Sequence, residues 1–310
     1  MEEINCNLCD SSEYSVLYTP YDFLLDKKSV ETKLVKCENC GLIYQNPRPN
    51  IDEMRVSYPD DYEPYLTESK LNNHSWLMKK AIEYGLNKRS RFITSHKSSG
   101  RLSDVGCATG LFLNNMQQKK GWDLSGVEIN QYAAIIAHDK FGLDIFVGTL
   151  EEAAFPDDFF DAVTLWDVLE HLHNPSLSLQ EIHRILKPGG ILVFRVPNGK
   201  SWSEKIFGQY WAGLDSPRHL YVFDQFTLRR ILDKVGFDTL QMSCRSGNYP
   251  TFILSIKFWL TGKGYKKSTR RKIIRLLDHP ILRLLTSPIF LLSGFGLRGS
   301  LITVTARKEK

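Results

Sequence analysis

Long apolar runs are absent from this sequence of 310 residues. No stretch of about 18 consecutive apolar residues occurs, so we predict no membrane-spanning helix. The first ten residues, MEEINCNLCD, are acidic and contain no apolar segment, which predicts the absence of a secretory signal and a soluble, cytosolic protein. Repeats at solenoid or propeller spacing are also absent. With 42% hydrophobic and 24% charged residues, the composition is globular, and the length favours about two domains.

Acidic residues are scarce towards the C-terminal end. Residues 257–310 contain 13 Lys and Arg and 2 Asp and Glu, whereas the other 256 residues contain 27 and 33. A segment with a net charge of +11 therefore follows a body with a net charge of −6. This asymmetry indicates contact with a polyanion or a membrane surface, or else a solvated helix face, and it does not decide between them.

Four of the six cysteines form two C-x-x-C pairs: Cys6 and Cys9, and Cys37 and Cys40. Four thiolates at this spacing are typical of a tetrahedral zinc site, and Gly41 suits the tight turn that such a site needs. A closed shell of four sulfurs predicts a structural role. Two disulfides are the alternative, which the missing secretory signal disfavours. We expect loss of Cys37 to unfold about the first 45 residues without affecting the chemistry.

Changes in composition divide the chain into five segments. They are a zinc-ribbon-like module (1–49), a linker and helical lead-in (50–98), a core (99–250), a basic amphipathic helical insertion (251–299) and a final strand with the tail (300–310). In the lead-in, an aromatic, acidic and proline-broken stretch at 58–65 predicts a loop, and residues 73–96 predict a basic helix.

The core alternates between short apolar runs and amphipathic stretches. The runs predict strands at 102–105, 124–127, 144–147, 162–166, 191–196 and 237–243, with a last strand at 301–306. The amphipathic stretches predict helices at 131–140, 177–186 and 227–235. Strands that alternate with helices at this spacing predict a doubly wound α/β domain on a parallel sheet.

A glycine-rich turn follows the first core strand, in the sequence Asp104-Val-Gly-Cys-Ala-Thr-Gly110. Such a turn between strand and helix lets a ligand approach the backbone. The second strand ends at Glu128, where a carboxylate can accept hydrogen bonds from ribose hydroxyls, so we predict nucleoside binding. The third glycine of the G-x-G-x-x-G dinucleotide fingerprint is absent, which disfavours a dehydrogenase.

Six segments in this order resemble the class I S-adenosylmethionine-dependent methyltransferases. They are DVGCATG at 104–110, GVEIN at 126–130, GTLEE at 148–152, FPDDFFD at 155–161, WDVLEH at 166–171 and LKPGG at 186–190. The cysteine pairs, NPRP at 46–49 and WAGLDSPRHL at 211–220 also resemble the type 11/23-like subgroup with a zinc-binding head. The resemblance implies a Rossmann-like, seven-stranded sheet with a small N-terminal zinc-ribbon module and a helical insertion before the last strand.

The resemblance also implies residue roles for binding S-adenosylmethionine. The methionine end would be held by Asp104, Gly106, Ala108 and Gly110. Glu128 would bind the ribose, Leu150 and Glu151 would contact adenine, and Asp167 would close the pocket. Ala108 departs from the family, which usually has glycine there.

Two histidines are candidates for a general base, which an acceptor hydroxyl would need. His171 follows the fourth core strand, and His219 lies in the segment Pro217-Arg-His. Both fall in predicted loops at the carboxyl edge of the sheet, where open α/β sheets bind ligands. We favour His219, which beside Arg218 could instead orient an anionic group, whereas His171 could instead be a capping or packing residue.

The insertion combines basic and apolar residues at helical spacing. Basic residues lead into an amphipathic stretch in which we expect Pro280 to kink the helix, and a second apolar stretch follows at 288–292. Residues 266–292 could contact an anionic membrane at its inner face or form a lid over the active site.

The leading hypothesis is a methyltransferase that O-methylates a small or lipid-linked acceptor, such as a sugar precursor or a quinone-like metabolite. In the resembling subgroup such enzymes are associated with surface polysaccharides and secondary metabolites. A zinc-headed ribosomal- or transfer-RNA methyltransferase is the alternative, although the head contains four lysines and eight acids within residues 1–41, a balance that disfavours RNA contact. A non-catalytic cofactor-binding scaffold is the second alternative.

Overall fold

The structure, a computed structural model, describes residues 1–55 and 76–309. Its N-terminal module contains strands β1 (Tyr14–Tyr18), β2 (Tyr21–Asp22), β3 (Lys27–Glu31), β4 (Leu34–Cys37) and β5 (Ile43–Gln45), followed by helix α1 (Ile51–Arg55). The predicted loop at 58–65 and residues 73–75 of the predicted basic helix lie outside the described residues. The rest of that helix is α2 (Trp76–Thr94).

A seven-stranded sheet forms the centre of the molecule. Its strands are β6 (Gly100–Val105), β7 (Trp122–Glu128), β8 (Asp144–Val147), β9 (Phe160–Trp166), β10 (Leu186–Pro197), β12 (Phe237–Ser243) and β13 (Leu301–Lys308). They run in the order β12-β13-β10-β9-β6-β7-β8, and β13 is antiparallel to both of its neighbours. The predicted Rossmann-like sheet is confirmed, with β8 and β12 at their predicted bounds and the other five strands longer.

Five helices lie between the strands of this sheet along the chain, and side-chain caps determine where two of them begin. The helices are α3 (Leu111–Gln117), α4 (Gln131–Phe141), α5 (Pro175–Ile185), α6 (Trp202–Phe207) and α7 (Gln225–Val235). α5 begins two residues before its predicted start because Asn174 accepts a hydrogen bond from the Leu177 N–H. α7 likewise begins early, because Asp224 caps it and Thr227 completes a capping box.

Three helices form the insertion between β12 and β13: α8 (Asn248–Gly262), α9 (Lys267–Leu277) and α10 (Pro280–Ser293). The expectation that Pro280 kinks one helix is wrong, because Pro280 is the first residue of α10, where a missing N–H costs no hydrogen bond. Among the described residues no single helix is long and apolar enough to span a membrane. α9 and α10 together have sufficient length and apolar character, but only as a pair bent by 73°.

The N-terminal module is joined to the core by a shared sheet and by buried polar contacts. β1, β4 and β5 form an antiparallel sheet that strand β11 (Tyr221–Val222) extends at the β5 edge. Arg218 is fully buried and donates hydrogen bonds to Asp22 of β2 and to Asp215, at 2.8–3.0 Å. The Gln45 amide donates to the carbonyl oxygens of Pro217 and His219, at 2.9 and 2.7 Å. The segment just before β11 is therefore held by the module.

Candidate cofactor and acceptor site

The turn between β6 and α3 requires left-handed backbone at three positions. Gly106, Ala108 and Gly110 have φ angles of 71°, 47° and 75°. A Cβ on Gly106 would lie 2.6 Å from a methyl group of Val168, and one on Gly110 would lie 2.9 Å from the Cβ of Ala137. Only glycine fits at these two positions, whereas Ala108 adopts a conformation that glycine adopts more easily. The conformation gives a physical reason for the family's usual glycine at this position.

Two buried acids flank this turn. Asp104 accepts a hydrogen bond of 2.6 Å from the Thr164 hydroxyl, and burial raises the pKa of Asp104 to about 7. Glu128 accepts hydrogen bonds of 2.8 Å from the N–H groups of Ala108 and Asn130. Burial raises the pKa of Glu128 against the lowering effect of these bonds. The first bond ties the end of β7 directly to the glycine-rich turn.

A cavity of about 460 Å³ opens beside the turn. Three of the residues predicted to bind the cofactor line it: Asp104, Gly106 and Ala108. Further lining residues come from α2, from the ends of β9 and β10, and from the loop before α8: Leu86, Lys88, Arg89, Phe92, Trp166, Arg195, Ser246 and Gly247. Helix α2 therefore covers one side of the cavity.

Two arginines share one carboxylate at the edge of this cavity. Arg195 binds Asp167 with both arms of its guanidinium, the Nε bond measuring 2.8 Å. Arg89 lies 3.9 Å from the same carboxylate and stacks 5.0 Å from the ring centre of Trp166. Burial alone would raise the pKa of Asp167, but the Arg195 charge lowers it. Two guanidinium groups therefore share the Asp167 carboxylate beside the cavity.

Neither arginine was predicted to be a site residue. Arg195 interrupts the otherwise apolar run ILVFRVP of β10, and a charge in a buried strand is a signal for a functional or paired group. Arg89 carries no comparable signal, since it is one of several basic residues in α2.

The residues predicted to contact adenine lie beyond β8. Leu150 is buried in the turn that follows this strand, and Glu151 is exposed and accepts a hydrogen bond of 2.8 Å from the Ser178 hydroxyl of α5. Neither residue lines the 460 Å³ cavity, and the same holds for Gly110, Glu128 and Asp167.

The structure brings His171 and His219 into edge-to-face contact, with ring centres 4.6 Å apart. The Nδ1 atom of His171 lies 3.0 Å from the Arg218 carbonyl, and that of His219 lies 2.9 Å from the Gly213 carbonyl. Because a carbonyl only accepts, we assign the proton to Nδ1 in both rings, which leaves each Nε2 unprotonated. Burial lowers the pKa of His171 to about 3, and it also lowers the pKa of His219.

Glu170 adjoins this pair and was not predicted. Its side chain is fully buried, and neither carboxylate oxygen has a hydrogen-bond partner among the described residues. Burial raises the pKa of Glu170 well above its usual range, and the nearby charge of Asp167 raises it further. One potential ligand atom from each of Glu170, His171 and His219 lies within 4.8 Å of the others. The three side chains therefore form a compact group, in which Glu170 and His171 follow Asp167 closely in the chain.

The four predicted zinc ligands converge in the N-terminal module. All four Sγ atoms lie within 4.8 Å of one another, with Cys6 3.4 Å from Cys40 and Cys9 3.5 Å from Cys37. Zn–S bonds of about 2.3 Å imply S···S distances of about 3.8 Å in a tetrahedron. None of the four forms a disulfide, and Gly41 has the left-handed φ of 78° expected for its turn.

Comparison with known proteins identifies the family. Residues 78–242, a little over half of the chain, match the family described as a methyltransferase domain. The chain belongs to this family of methyltransferase domains. The predicted class of protein is therefore confirmed, whereas the zinc-headed subgroup rests on the cysteine geometry alone.

Curated relatives match about half of this methyltransferase-family protein, and the chain spans 57% of the first of them and 70% of the second. The ubiquinone biosynthesis O-methyltransferase of Alkalilimnicola ehrlichii is 30% identical over 142 residues, which span 43% of this chain and 57% of that protein. The malonyl-[acyl-carrier protein] O-methyltransferase of Serratia marcescens is 24% identical over 181 residues, 57% of this chain and 70% of that protein.

Solved structures share the fold. The [4+2]-cyclase SpnF superposes with a TM-score of 0.55 at 19% identity and covers 84% of this chain and 97% of its own. A SAM-dependent methyltransferase from Archaeoglobus fulgidus has a TM-score of 0.50 at 20% identity, with 79% and 99% covered. At these identities the likeness concerns the fold alone.

Proposed function

We propose that this protein is an S-adenosylmethionine-dependent methyltransferase that O-methylates a small or lipid-linked acceptor. The cavity that joins the glycine-rich turn, Asp104 and the Arg89–Arg195 pair carries the proposal. The acceptor class is supported by the O-methyltransferase names of the relatives from A. ehrlichii and S. marcescens. A sugar precursor or a quinone-like metabolite fits this class.

The residues around the turn fit the groups of the cofactor. Asp104, once ionised, can accept from an ammonium group, and Glu128 retains lone pairs for two ribose hydroxyls because each of its oxygens accepts one backbone bond. Arg89 offers positive charge to a carboxylate. Gly106, Ala108 and Gly110 shape the turn, and Asp167 anchors Arg195. Leu150 and Glu151 would contact adenine, as the family resemblance implies.

S-adenosylmethionine supplies an electrophilic methyl group on a sulfonium. The residues of this chain would orient the acceptor and remove its hydroxyl proton. We assign the proton acceptor to Nε2 of His219, because hydrogen bonding at Nδ1 fixes the required tautomer and a lowered pKa keeps the ring neutral at neutral pH. His171 packs against His219 and is the second candidate. An acceptor hydroxyl would lie near the Asp167–Arg195 edge of the cavity.

We further propose that Cys6, Cys9, Cys37 and Cys40 hold a structural zinc ion. The converging thiols and the absence of disulfides among them support this assignment. Four sulfur ligands leave no open position for substrate, so the ion would stabilise the module rather than take part in methyl transfer.

Contact of α9 and α10 with an anionic membrane completes the proposal, and it would place a cytosolic protein at the inner membrane face. Seven large apolar side chains of these helices are more than 60% exposed: Leu276, Ile281, Leu284, Leu285, Ile289, Leu291 and Leu292. Helix α9 also carries exposed basic side chains, including Arg271 and Lys272. This combination is typical of helices that lie in a membrane interface.

The test uses purified protein, methyl-labelled S-adenosylmethionine and a cell extract, with and without ribonuclease. Label in a lipid, glycan or small-molecule fraction that survives ribonuclease is the expected result. Label lost on ribonuclease treatment would instead make the protein an RNA methyltransferase. Failure to bind S-adenosylhomocysteine in calorimetry would contradict cofactor use. Binding without transfer to any fraction would favour the scaffold alternative.

A further inference from the structure

An apolar groove of about 600 Å³ lies between α6, α8 and α10. Its walls include Trp202 and Ile206 of α6, Phe252 and Ile253 of α8, and Ile289 of α10. Sites for small molecules have volumes of about 300–1,000 Å³ and mostly apolar walls, so the groove has the size and character of a binding site. The function proposed above assigns no ligand to this groove.

Two arginines place positive charge at this groove, where burial and then the nearby acid Asp278 raise the pKa of the lining residue Tyr249. Arg298 is the only charged residue among the described lining residues. The guanidinium of Arg283 lies 5.3 Å from the ring centre of Tyr249, another lining residue. In the part of the chain that the structure describes, neither arginine forms an ion pair with an acid. An anionic group at the mouth of the groove would be complementary to both.

The groove is linked through the chain to the cofactor cavity, and it shares a residue with the exposed apolar face. Gly247 lines the cavity and Asn248, the next residue, lines the groove. Asn248 is held in place, since its amide donates to the carbonyls of Cys244 and Phe290 and its oxygen accepts from the Ser300 N–H at 2.8 Å. Ile289 lines the groove and belongs to the exposed face of α10.

We propose that this groove binds the acyl or prenyl chain of the acceptor, an anionic lipid whose head group is then directed towards the cofactor cavity. The proposal rests on the function proposed above. Apolar walls exclude a polar ligand from the groove, because its hydrogen-bonding groups would find few partners there. Arg283 and Arg298 favour an anionic head group over a neutral or cationic one.

The first test measures binding of n-alkyl phosphates from octyl to tetradecyl by calorimetry, below their critical micelle concentrations. Each methylene that enters the groove should raise the affinity about fourfold, the equivalent of about 0.8 kcal/mol. The gain should stop when the chain fills the groove. Alkyltrimethylammonium ions of the same length should bind at least tenfold more weakly. Affinity that is independent of chain length, or equal for both head groups, would overturn the proposal.

Variants locate the site. Ile253→Trp and Thr286→Phe fill the groove from α8 and α10, and each should lower dodecyl phosphate affinity at least tenfold. Ile135→Trp is the matched control, since Ile135 is a half-exposed residue of α4 outside the groove, and it should leave the affinity unchanged. Unaltered affinity for S-adenosylhomocysteine would show that each variant is folded. Unchanged dodecyl phosphate binding in both folded groove variants would refute the assignment.

Binding and transfer separate this proposal from the function on which it rests. The binding experiment with alkyl phosphates contains no methyl donor, so it is independent of methyl transfer. Affinity that depends on chain length, without methylation of any lipid, would support the assignment of the groove and contradict the proposed acceptor class. Methylation of a lipid acceptor with wild-type kcat/KM by both groove variants would support that class and overturn the groove.

Discussion

At the scale of single residues, His219 and His171 differ less in position than in their expected basicity. Both carry the proton on Nδ1, but the pKa of His171 falls to about 3. A base with so low a pKa gains little driving force for removing a hydroxyl proton. His219 is therefore the better candidate for the base. Glu170 is buried beside the two histidines, and its carboxylate has no hydrogen-bond partner among the described residues.

His219→Ala should lower kcat by about 10²–10⁴-fold, the usual contribution of a general base. The neutral ring is the active form, and a lowered pKa preserves that form below pH 6.5, so the wild-type rate should decline only at pH values below 6.5. Rates across pH 5–9 with S-adenosylmethionine at saturation would measure both effects. The exposed His138 of α4 provides the control, and His138→Ala should retain wild-type kcat. Full turnover in both His219→Ala and His171→Ala would exclude a histidine base.

Asp104 illustrates a conflict between function and stability at one buried carboxyl group. Its folded pKa of about 7 lies above the value near 3.9 in an unfolded chain. The unfolded chain therefore ionises first, and the free energy of unfolding should fall as the pH rises from about 4 to about 7. The loss is at most about 4 kcal/mol, at 1.36 kcal/mol per pKa unit.

Asp104→Asn should remove this pH dependence and weaken cofactor binding at the same time. The variant should be more stable than the wild type at pH 8, because no charge is buried, yet bind S-adenosylhomocysteine at least tenfold more weakly. Urea unfolding at pH 4, 6 and 8 and calorimetry at pH 8 would measure the two effects. Equal stability of both proteins at all three pH values would contradict the buried charge.

At the scale of elements, the strands were more predictable than the helices of the insertion. β9 and β10 are almost continuously buried, so their apolar runs determine them directly. The starts of α5 and α7 depend on Asn174 and Asp224, caps that lie before the apolar pattern begins. The prediction at Pro280 failed because a proline at a helix start and one inside a helix look alike in a continuous amphipathic pattern. Arg89 and Arg195 could not be assigned to one site because their elements are distant in the sequence.

The exposed face of α10 leads to a prediction about membranes. Leu284→Asn combined with Leu285→Asn should reduce co-sedimentation with anionic vesicles at least tenfold, since burial of each leucine contributes about 1.5–3 kcal/mol. Leu177→Asn, a change at a similarly exposed leucine of α5, should have no effect. Unchanged vesicle binding in the double variant would contradict membrane contact through α10, and the basic residues would then be assigned to a different polyanion.

At the scale of the whole molecule, the N-terminal module and the core meet at the candidate base. The sequence predicts a module at residues 1–49, but it gives no sign that β11 extends the module's sheet. Gln45 holds the His219 carbonyl at 2.7 Å, and Asp22 holds the neighbouring Arg218. Such contacts join residues far apart in the chain, and composition and spacing do not encode them. The structure therefore gives a reason to expect that the module affects the chemistry.

The sequence alone led us to expect that loss of Cys37 leaves the chemistry unaffected, but the contacts of Gln45 and Asp22 reverse this expectation. Cys37→Ser should lower turnover as well as zinc content. Loss of one of four ligands should release the ion and unfold the module, because a structural zinc site contributes folding energy directly. Without Gln45 and Asp22 in place, the segment that carries His219 loses its buried hydrogen bonds, so kcat should fall. The affinity for S-adenosylhomocysteine should stay within about threefold, because the residues that line the cofactor cavity lie outside the module. Metal analysis, calorimetry and rates on one preparation would separate these effects. Cys244→Ser, a change at a buried cysteine outside the cluster, is the control. Zinc loss with unchanged kcat would show that the module and the site act independently, whereas unchanged zinc content would refute the metal site itself.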